Sequence, residues 1–132
     1  MTEPGVTRPL VLVVEDEPLV RMDAAITLED DGFEVLEATT ARAALAMLEK
    51  LDGAVTALFT DVDMPGDMNG LELAGIVYHR WPHVALVVTS GVVRATGALP
   101  GGGVFLEKPY KGSSPVRVIR ELIRDKAAHA QH

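Results

Sequence analysis

A doubly wound α/β fold on a five-stranded parallel sheet is what this sequence predicts, and three observations predict it. Continuous apolar runs rich in β-branched residues stand at Leu10–Val14 and Val84–Val88, the pattern of strands covered by helices on both faces. Stretches of helical period separate successive runs, and the connections are short, which describes βαβ units. A chain of 132 residues with 48% hydrophobic and 23% charged side chains suits one globular core of ordinary size.

Residues 1–9 read as a leader, 10–126 as the domain and 127–132 as a tail. After the first strand, Pro18 opens a helix to about Asp30, with Leu19, Met22 and Ile26 as an apolar face and Gly32 as stop signal. Phe33–Glu37 is a short second strand. Thr40 caps a helix through about Lys50 that buries Ala44, Leu45 and Leu48. Val55–Thr60 is the third strand, ending at Asp61. A Met-Pro-Gly loop leads to a helix of about Leu71–Trp81, stopped by Pro82. Val84–Val88 is the fourth strand. The fourth helix belongs in Val92–Gly103, but Gly97, Pro100 and Gly101–Gly103 make it short or irregular. Val104–Leu106 is the fifth strand, and a last helix runs from Ser114-Pro115 to about Lys126. Five strands so arranged fit the flavodoxin-like order 2-1-3-4-5.

Composition narrows the function. The apolar runs are too short to span a bilayer, no signal-peptide pattern leads the chain, and there is no cysteine, so disulfides, thiolate metal sites and cysteine nucleophiles are excluded. A cytoplasmic protein is the expectation, with no membrane partner. Net charge is −7, unevenly spread: residues 1–72 carry 16 acidic and 4 basic side chains, residues 73–132 carry 3 and 8. That balance argues against nucleic-acid binding. An acidic pocket that wants a cation is the sharper reading of the asymmetry, solvated helix faces the plainer one.

Open parallel sheets bind ligands beyond the carboxyl ends of their strands. At those ends stand Glu15, Asp16 and Glu17 (strand 1), Asp61 (strand 3), Thr89 (strand 4) and Lys108 (strand 5). Clustered carboxylates repel unless a hard cation lies between them, and oxygen ligands suit Mg²⁺. A lysine and a threonine hydroxyl opposite them suit a phosphoryl group, and an aspartate can become an aspartyl-phosphate. Singly, each group has a plainer reading: a solvated acidic turn, a helix cap at Asp61, a turn former at Thr89 or Ser90, a surface lysine. Their placement at four matching strand ends favours a site.

The stretches Val13-Val14-Glu15-Asp16-Glu17-Pro18, Thr60-Asp61-Val62-Asp63-Met64-Pro65-Gly66, Val88-Thr89-Ser90 and Glu107-Lys108-Pro109-Tyr110 resemble the receiver domain of two-component response regulators, over about residues 9–126. The resemblance implies that Asp61 is the phosphoacceptor and that Asp16 ligates Mg²⁺ directly. It implies that Glu15 acts on the metal through water and that the backbone carbonyl of Asp63 completes the metal site. Thr89 becomes the switch hydroxyl, Lys108 the cation that holds a phosphoryl oxygen, and Phe105 the aromatic switch position, although plain core packing is the simpler reading of Phe105. The expected protein is not a turnover enzyme. It accepts a phosphoryl group from a sensor histidine kinase or phosphotransfer protein and signals to a downstream protein partner. With only Ala127–His132 after the last helix, a single-domain regulator without a DNA-binding output is expected. Arg117, Arg120 and Arg124 form a ridge on the last helix that reads most plainly as a solvated face; the alternative that the resemblance implies is a partner-docking or homodimer surface on the face of the fourth helix, fifth strand and last helix.

Two departures and three rivals accompany this reading. The loop Met64–Gly70 is one residue longer than the commonest spacing, and the fourth helix is glycine-rich. Asp61-Val62-Asp63 imitates the Asp-x-Asp of haloacid-dehalogenase-like phosphatases, but the acidic triplet precedes the lysine, the reverse of that family's order. A pseudo-receiver that binds partners unphosphorylated has the intact residue set against it. A nucleotide-binding flavodoxin-like protein lacks its glycine-rich loop after strand 1. His79 and His83 stand four apart with Pro82 between them, and read as surface histidines.

Overall fold

A computed structural model describes residues 8–91, 99–108 and 114–130. Five strands form one parallel sheet in the order β2-β1-β3-β4-β5, as predicted. They are β1 (Leu10–Val14), β2 (Glu34–Ala38), β3 (Ala57–Asp61), β4 (Ala85–Ser90) and β5 (Val104–Glu107). The described residues also hold helices α1 (Pro18–Asp30), α2 (Ala41–Leu51), α3 (Gly70–Arg80) and α4 (Ser114–Ala130), with a 3₁₀ turn at Pro100–Gly102. None of these helices is long and apolar enough to cross a membrane.

Alternation along the strands divides the core in two. Leu12, Val14, Leu58, Leu86 and Val88 pack on one face with α2 and α3, through Ala44, Leu48, Leu73 and Val77. Val11, Val13, Phe59, Ala85 and Val87 pack on the other with α1 and α4, through Ala24, Leu28, Val116 and Ile119. All residues of β3 and β4 are buried, so these central strands fix the rim on which the site is built.

The buried face of α1 differs from the expected one. Ala24, Ala25 and Leu28 are buried, whereas Leu19, Met22 and Ile26 are 78%, 53% and 50% exposed. The helix carries two stripes of helical spacing. Small alanines let its backbone lie close to the sheet, and the larger side chains are left outside. Strand ends also shift in a consistent direction. Asp61, Thr89, Ser90 and Glu107 lie within β3, β4 and β5 rather than after them. The ladder continues through these residues because their backbones find partners on the neighbouring strand. At its end, α4 runs past Lys126 to Ala130, since the sequence there has neither glycine nor proline to stop it.

Of the expected irregular fourth helix, residues 92–98 lie outside the described residues. The rest of that segment holds buried Leu99 and the 3₁₀ turn, whose Gly101 has φ 66°, a left-handed value that suits glycine.

Candidate functional site

The site grows from the carboxyl ends of β1, β3, β4 and β5. Asp61, the last residue of β3, is buried, and so is Glu15, the first residue after β1. Their carboxylates meet at one lysine: Lys108 Nζ lies 3.0 Å from Glu15 Oε1 and 3.0 Å from Asp61 Oδ2. Lys108 is placed by its own backbone, whose N–H donates to the Ser90 carbonyl at the end of β4 (2.8 Å). Asp61 Oδ1 accepts the Asp63 backbone N–H at 3.3 Å. Glu15 Oε2 accepts the Glu17 N–H at 3.1 Å. Thr89 is the register partner of Asp61 across the β3–β4 ladder and lines the same small cavity as Glu15 and Asp61.

Ligand oxygens of Glu15, Asp16 and Asp61 lie within 4.8 Å of one another. Three hard oxygen donors, one exposed at the mouth and two buried, form a donor set that fits a divalent cation of the Mg²⁺ or Ca²⁺ type. Electrostatics agree. Burial raises the Glu15 carboxyl above its ordinary pKa, and neighbouring Asp61 adds to this. The Glu17 N–H and the Lys108 ammonium oppose the rise without cancelling it. For Lys108, burial favours the neutral amine, but its hydrogen bonds to Glu15 and Asp61 prevail and hold its pKa above the ordinary range. The pocket therefore carries an excess of negative charge that one lysine does not neutralise.

The expected residues Glu15, Asp16, Asp61, Thr89 and Lys108 thus converge. Asp63 touches Asp61 through its backbone N–H, and its side chain is exposed. Phe105 does not line the cleft: it pairs with Val88 and packs, partly buried, against the core on the α2–α3 side. Pro109 and Tyr110 lie outside the described residues. In the basic ridge, Arg120 is engaged within the chain, pairing with Asp31 (2.6 Å) and lying 4.7 Å over the Phe33 ring.

Two contributors escaped the sequence reading. Gly70, at the start of α3, sits so close to β3 that a Cβ there would stand 2.0 Å from the Asp61 carbonyl oxygen. Asn69 and Glu72 close a capping box around that helix start; Asn-Gly followed two residues later by Glu was the available signal. Arg21 donates to the Glu15 carbonyl oxygen (3.0 Å) and to Glu37 (3.1 Å). It shares the i, i+3, i+4, i+7 stripe of Ala24, Ala25 and Leu28, so recognising that stripe as the buried one would have turned Arg21 toward the sheet. The longer loop before α3 is pinned by buried Met68 and by a two-pronged pair between Arg42 and Asp67 (3.1 and 2.9 Å).

A parallel five-stranded sheet with an acidic, lysine-bridged cleft at its carboxyl rim defines a flavodoxin-like α/β protein equipped for a cation and an anionic group. Residues 11–114 match the family model of the response regulator receiver domain, and the chain belongs to that family. It is 36% identical over 114 residues to the transcriptional regulatory protein FixJ of Azorhizobium caulinodans, covering 83% of this chain and 53% of FixJ. It is 37% identical over 124 residues to the response regulator protein FleR of Pseudomonas aeruginosa, covering 91% of this chain and 24% of FleR. The chain thus spans about half the length of the first relative and a quarter of the second. Among solved structures, the receiver domain of the hybrid histidine kinase CckA superposes with a TM-score of 0.75 at 31% identity, covering 86% of this chain and 98% of that domain.

Proposed function

We propose that this protein is a phosphorylation-dependent switch in which Asp61 accepts a phosphoryl group, with Mg²⁺, from the phosphohistidine of a sensor kinase or phosphotransfer protein. The observation that carries the reading is the placement of Asp61: buried at a strand end, 3.0 Å from Lys108 and within the acidic cluster. An Asp61 carboxylate oxygen attacks phosphorus in line; the phosphorus–nitrogen bond breaks, and the imidazole keeps the electron pair and takes a proton. Lys108 exchanges part of its carboxylate contacts for a phosphoryl oxygen, offsetting charge on the group in flight. Asp16 and Asp61, with Glu15 through water and the Asp63 carbonyl, would hold the Mg²⁺, which would supply further charge neutralisation there. Afterwards Thr89, one strand away, donates its hydroxyl to the new phosphoryl group and biases the surface around β5. Water later cleaves the acyl phosphate, returning the Asp61 carboxylate and inorganic phosphate. The protein is a phosphoacceptor rather than a turnover enzyme.

The donor protein must bring its imidazole to the mouth of the cleft, and α1 begins there. Its exposed Leu19, Met22 and Ile26 form an apolar stripe of the kind that marks a docking surface. Output runs through contacts with a downstream protein, in the cytoplasm.

Intact-mass spectrometry after incubation with acetyl phosphate and Mg²⁺ tests the reading. One Mg²⁺-dependent phosphoryl adduct is expected on the native chain and none on Asp61→Asn. Repeated turnover of a generic phosphomonoester would favour the phosphatase alternative instead.

A further inference from the structure

We propose that Arg21 is a positioning residue for the cation site, fixing the Glu15–Asp16 peptide so that the Asp16 carboxylate faces the cleft. The inference rests on the cation reading above and adds a residue that the strand-end pattern did not contain.

Arg21 lies in the first turns of α1, with only 19% of its side chain exposed. Its guanidinium uses two edges: Nε donates to Glu37 on β2, and Nη1 donates to the backbone carbonyl oxygen of Glu15. The same Glu15 backbone is held from its other side, where its N–H donates to the Ala38 carbonyl at 3.0 Å. Residue 15 is thereby tied to β2 directly through one peptide group and through Arg21 and Glu37 at the next.

That second peptide group is the one that matters. The Glu15 carbonyl and the Asp16 N–H belong to one rigid plane, so holding the oxygen sets the direction in which Asp16 leaves the strand. Among the described residues Asp16 has no such support of its own. Its side chain is exposed, and among the described residues no hydrogen bond or ion pair steadies its carboxylate. The buried Glu15 carboxylate is held by Lys108 and the Glu17 N–H, and Asp61 is held by its strand. Of the three clustered carboxylates, only Asp16 depends on the loop backbone for its aim. A lysine at 21 has one donor head and cannot hold the Glu15 carbonyl and Glu37 with the fixed fork of a guanidinium.

The experiment titrates the full chain with Mn²⁺, standing in for Mg²⁺, and follows the resonance signal of the free ion well below the unfolding temperature. Arg21→Gln and Arg21→Met are both expected to weaken binding about tenfold, the size of effect seen when a ligand's outer support is removed. Arg21→Lys is expected to recover part of the loss. The sign is diagnostic, because removing a cation bonded to the Glu15 backbone, at the edge of the acidic cluster, would by itself tighten metal binding. Native or tighter affinity in Arg21→Gln or Arg21→Met overturns the positioning role. Asp16→Asn and Asp61→Asn separate this from failure of the underlying reading. If the native chain binds no Mn²⁺, or binds it as well as these two variants do, the cation site falls and the proposal falls with it.

Discussion

Asp61 and Thr89 are direct partners across the β3–β4 ladder, each near the end of a fully buried strand. The pairing places a hydroxyl beside the proposed phosphoryl acceptor without requiring it for the attack. Thr89→Ala is therefore expected to take up one phosphoryl group from acetyl phosphate with native stoichiometry. It should lose the phosphorylation-induced amide shifts beyond the cleft, and its stability should drop by about 1 kcal/mol from one buried hydroxyl. Paired mass and heteronuclear NMR measurements check this; native-sized shifts in the variant would remove Thr89 from the switch.

Gly70 lets α3 start against the backbone of Asp61. A Cβ there would meet the Asp61 carbonyl oxygen at 2.0 Å, and the obstruction is backbone, which cannot rotate away. Gly70→Ala is expected to cost about 1–3 kcal/mol through forced displacement and to suppress adduct formation on Asp61. Gly75 in the same helix has nothing within 4 Å of its would-be Cβ, so Gly75→Ala should gain about 0.5–1 kcal/mol. Urea unfolding of both variants, with acetyl phosphate labelling, makes the comparison.

The strand-end groups are legible in the sequence because a parallel sheet converts chain position into place: whatever stands at the carboxyl ends of β1, β3, β4 and β5 must gather at one rim. That logic finds Glu15, Asp16, Asp61, Thr89 and Lys108, together with the strand order. It does not find which face of α1 is buried, because Leu19–Met22–Ile26 and Arg21–Ala24–Ala25–Leu28 are both valid helical stripes. Closeness of helix to sheet decides between them, and hydropathy alone favours the larger side chains. Gly70 and Arg21 share that limitation, since each acts on a backbone carbonyl distant in the chain or hidden by the wrong choice of face.

Glu15 makes stability depend on pH in a defined direction. Its folded pKa is raised by burial, with Asp61 adding to the shift against the Glu17 N–H and Lys108. A group with a raised folded pKa binds more protons folded than unfolded across the window between its two pKa values. Its contribution is therefore present below the ordinary glutamate range and is lost as pH rises through the folded value. Glu15→Gln removes this descending component. In metal-free buffer, the stability of the variant relative to the native chain is expected to increase as pH rises above the ordinary glutamate range, read from urea midpoints. A constant difference would show that Glu15 titrates as it does unfolded.

Arg120 is committed within the chain. It pairs with Asp31 and covers the Phe33 ring, fastening α4 to the turn between α1 and β2. Both partners of the ion pair are about half exposed, so Arg120→Ala is expected to cost only about 1 kcal/mol, from a surface pair plus a cation–π contact. A double-mutant cycle with Asp31→Ala should give a coupling of a few tenths of a kcal/mol to about 1 kcal/mol that shrinks in high salt. A dimer or partner contact through this arginine would appear instead as a change in oligomeric state or partner affinity.

The α1 stripe separates chemistry from recognition. Leu19, Met22 and Ile26 are exposed, so replacing Leu19 by Asp removes no core contact and should leave stability within about 0.5 kcal/mol. Acetyl phosphate is small and needs no docking surface, so its rate of labelling Asp61 should be unchanged. A protein donor has to dock at the mouth of the cleft, and losing an apolar anchor there should cost about 1–2 kcal/mol of binding, roughly tenfold in transfer at sub-saturating donor. Measuring both rates on Leu19→Asp gives a clear result. Equal loss with both donors would mean that the substitution has disturbed the acidic loop; no loss with either would place the docking surface elsewhere on the cleft rim.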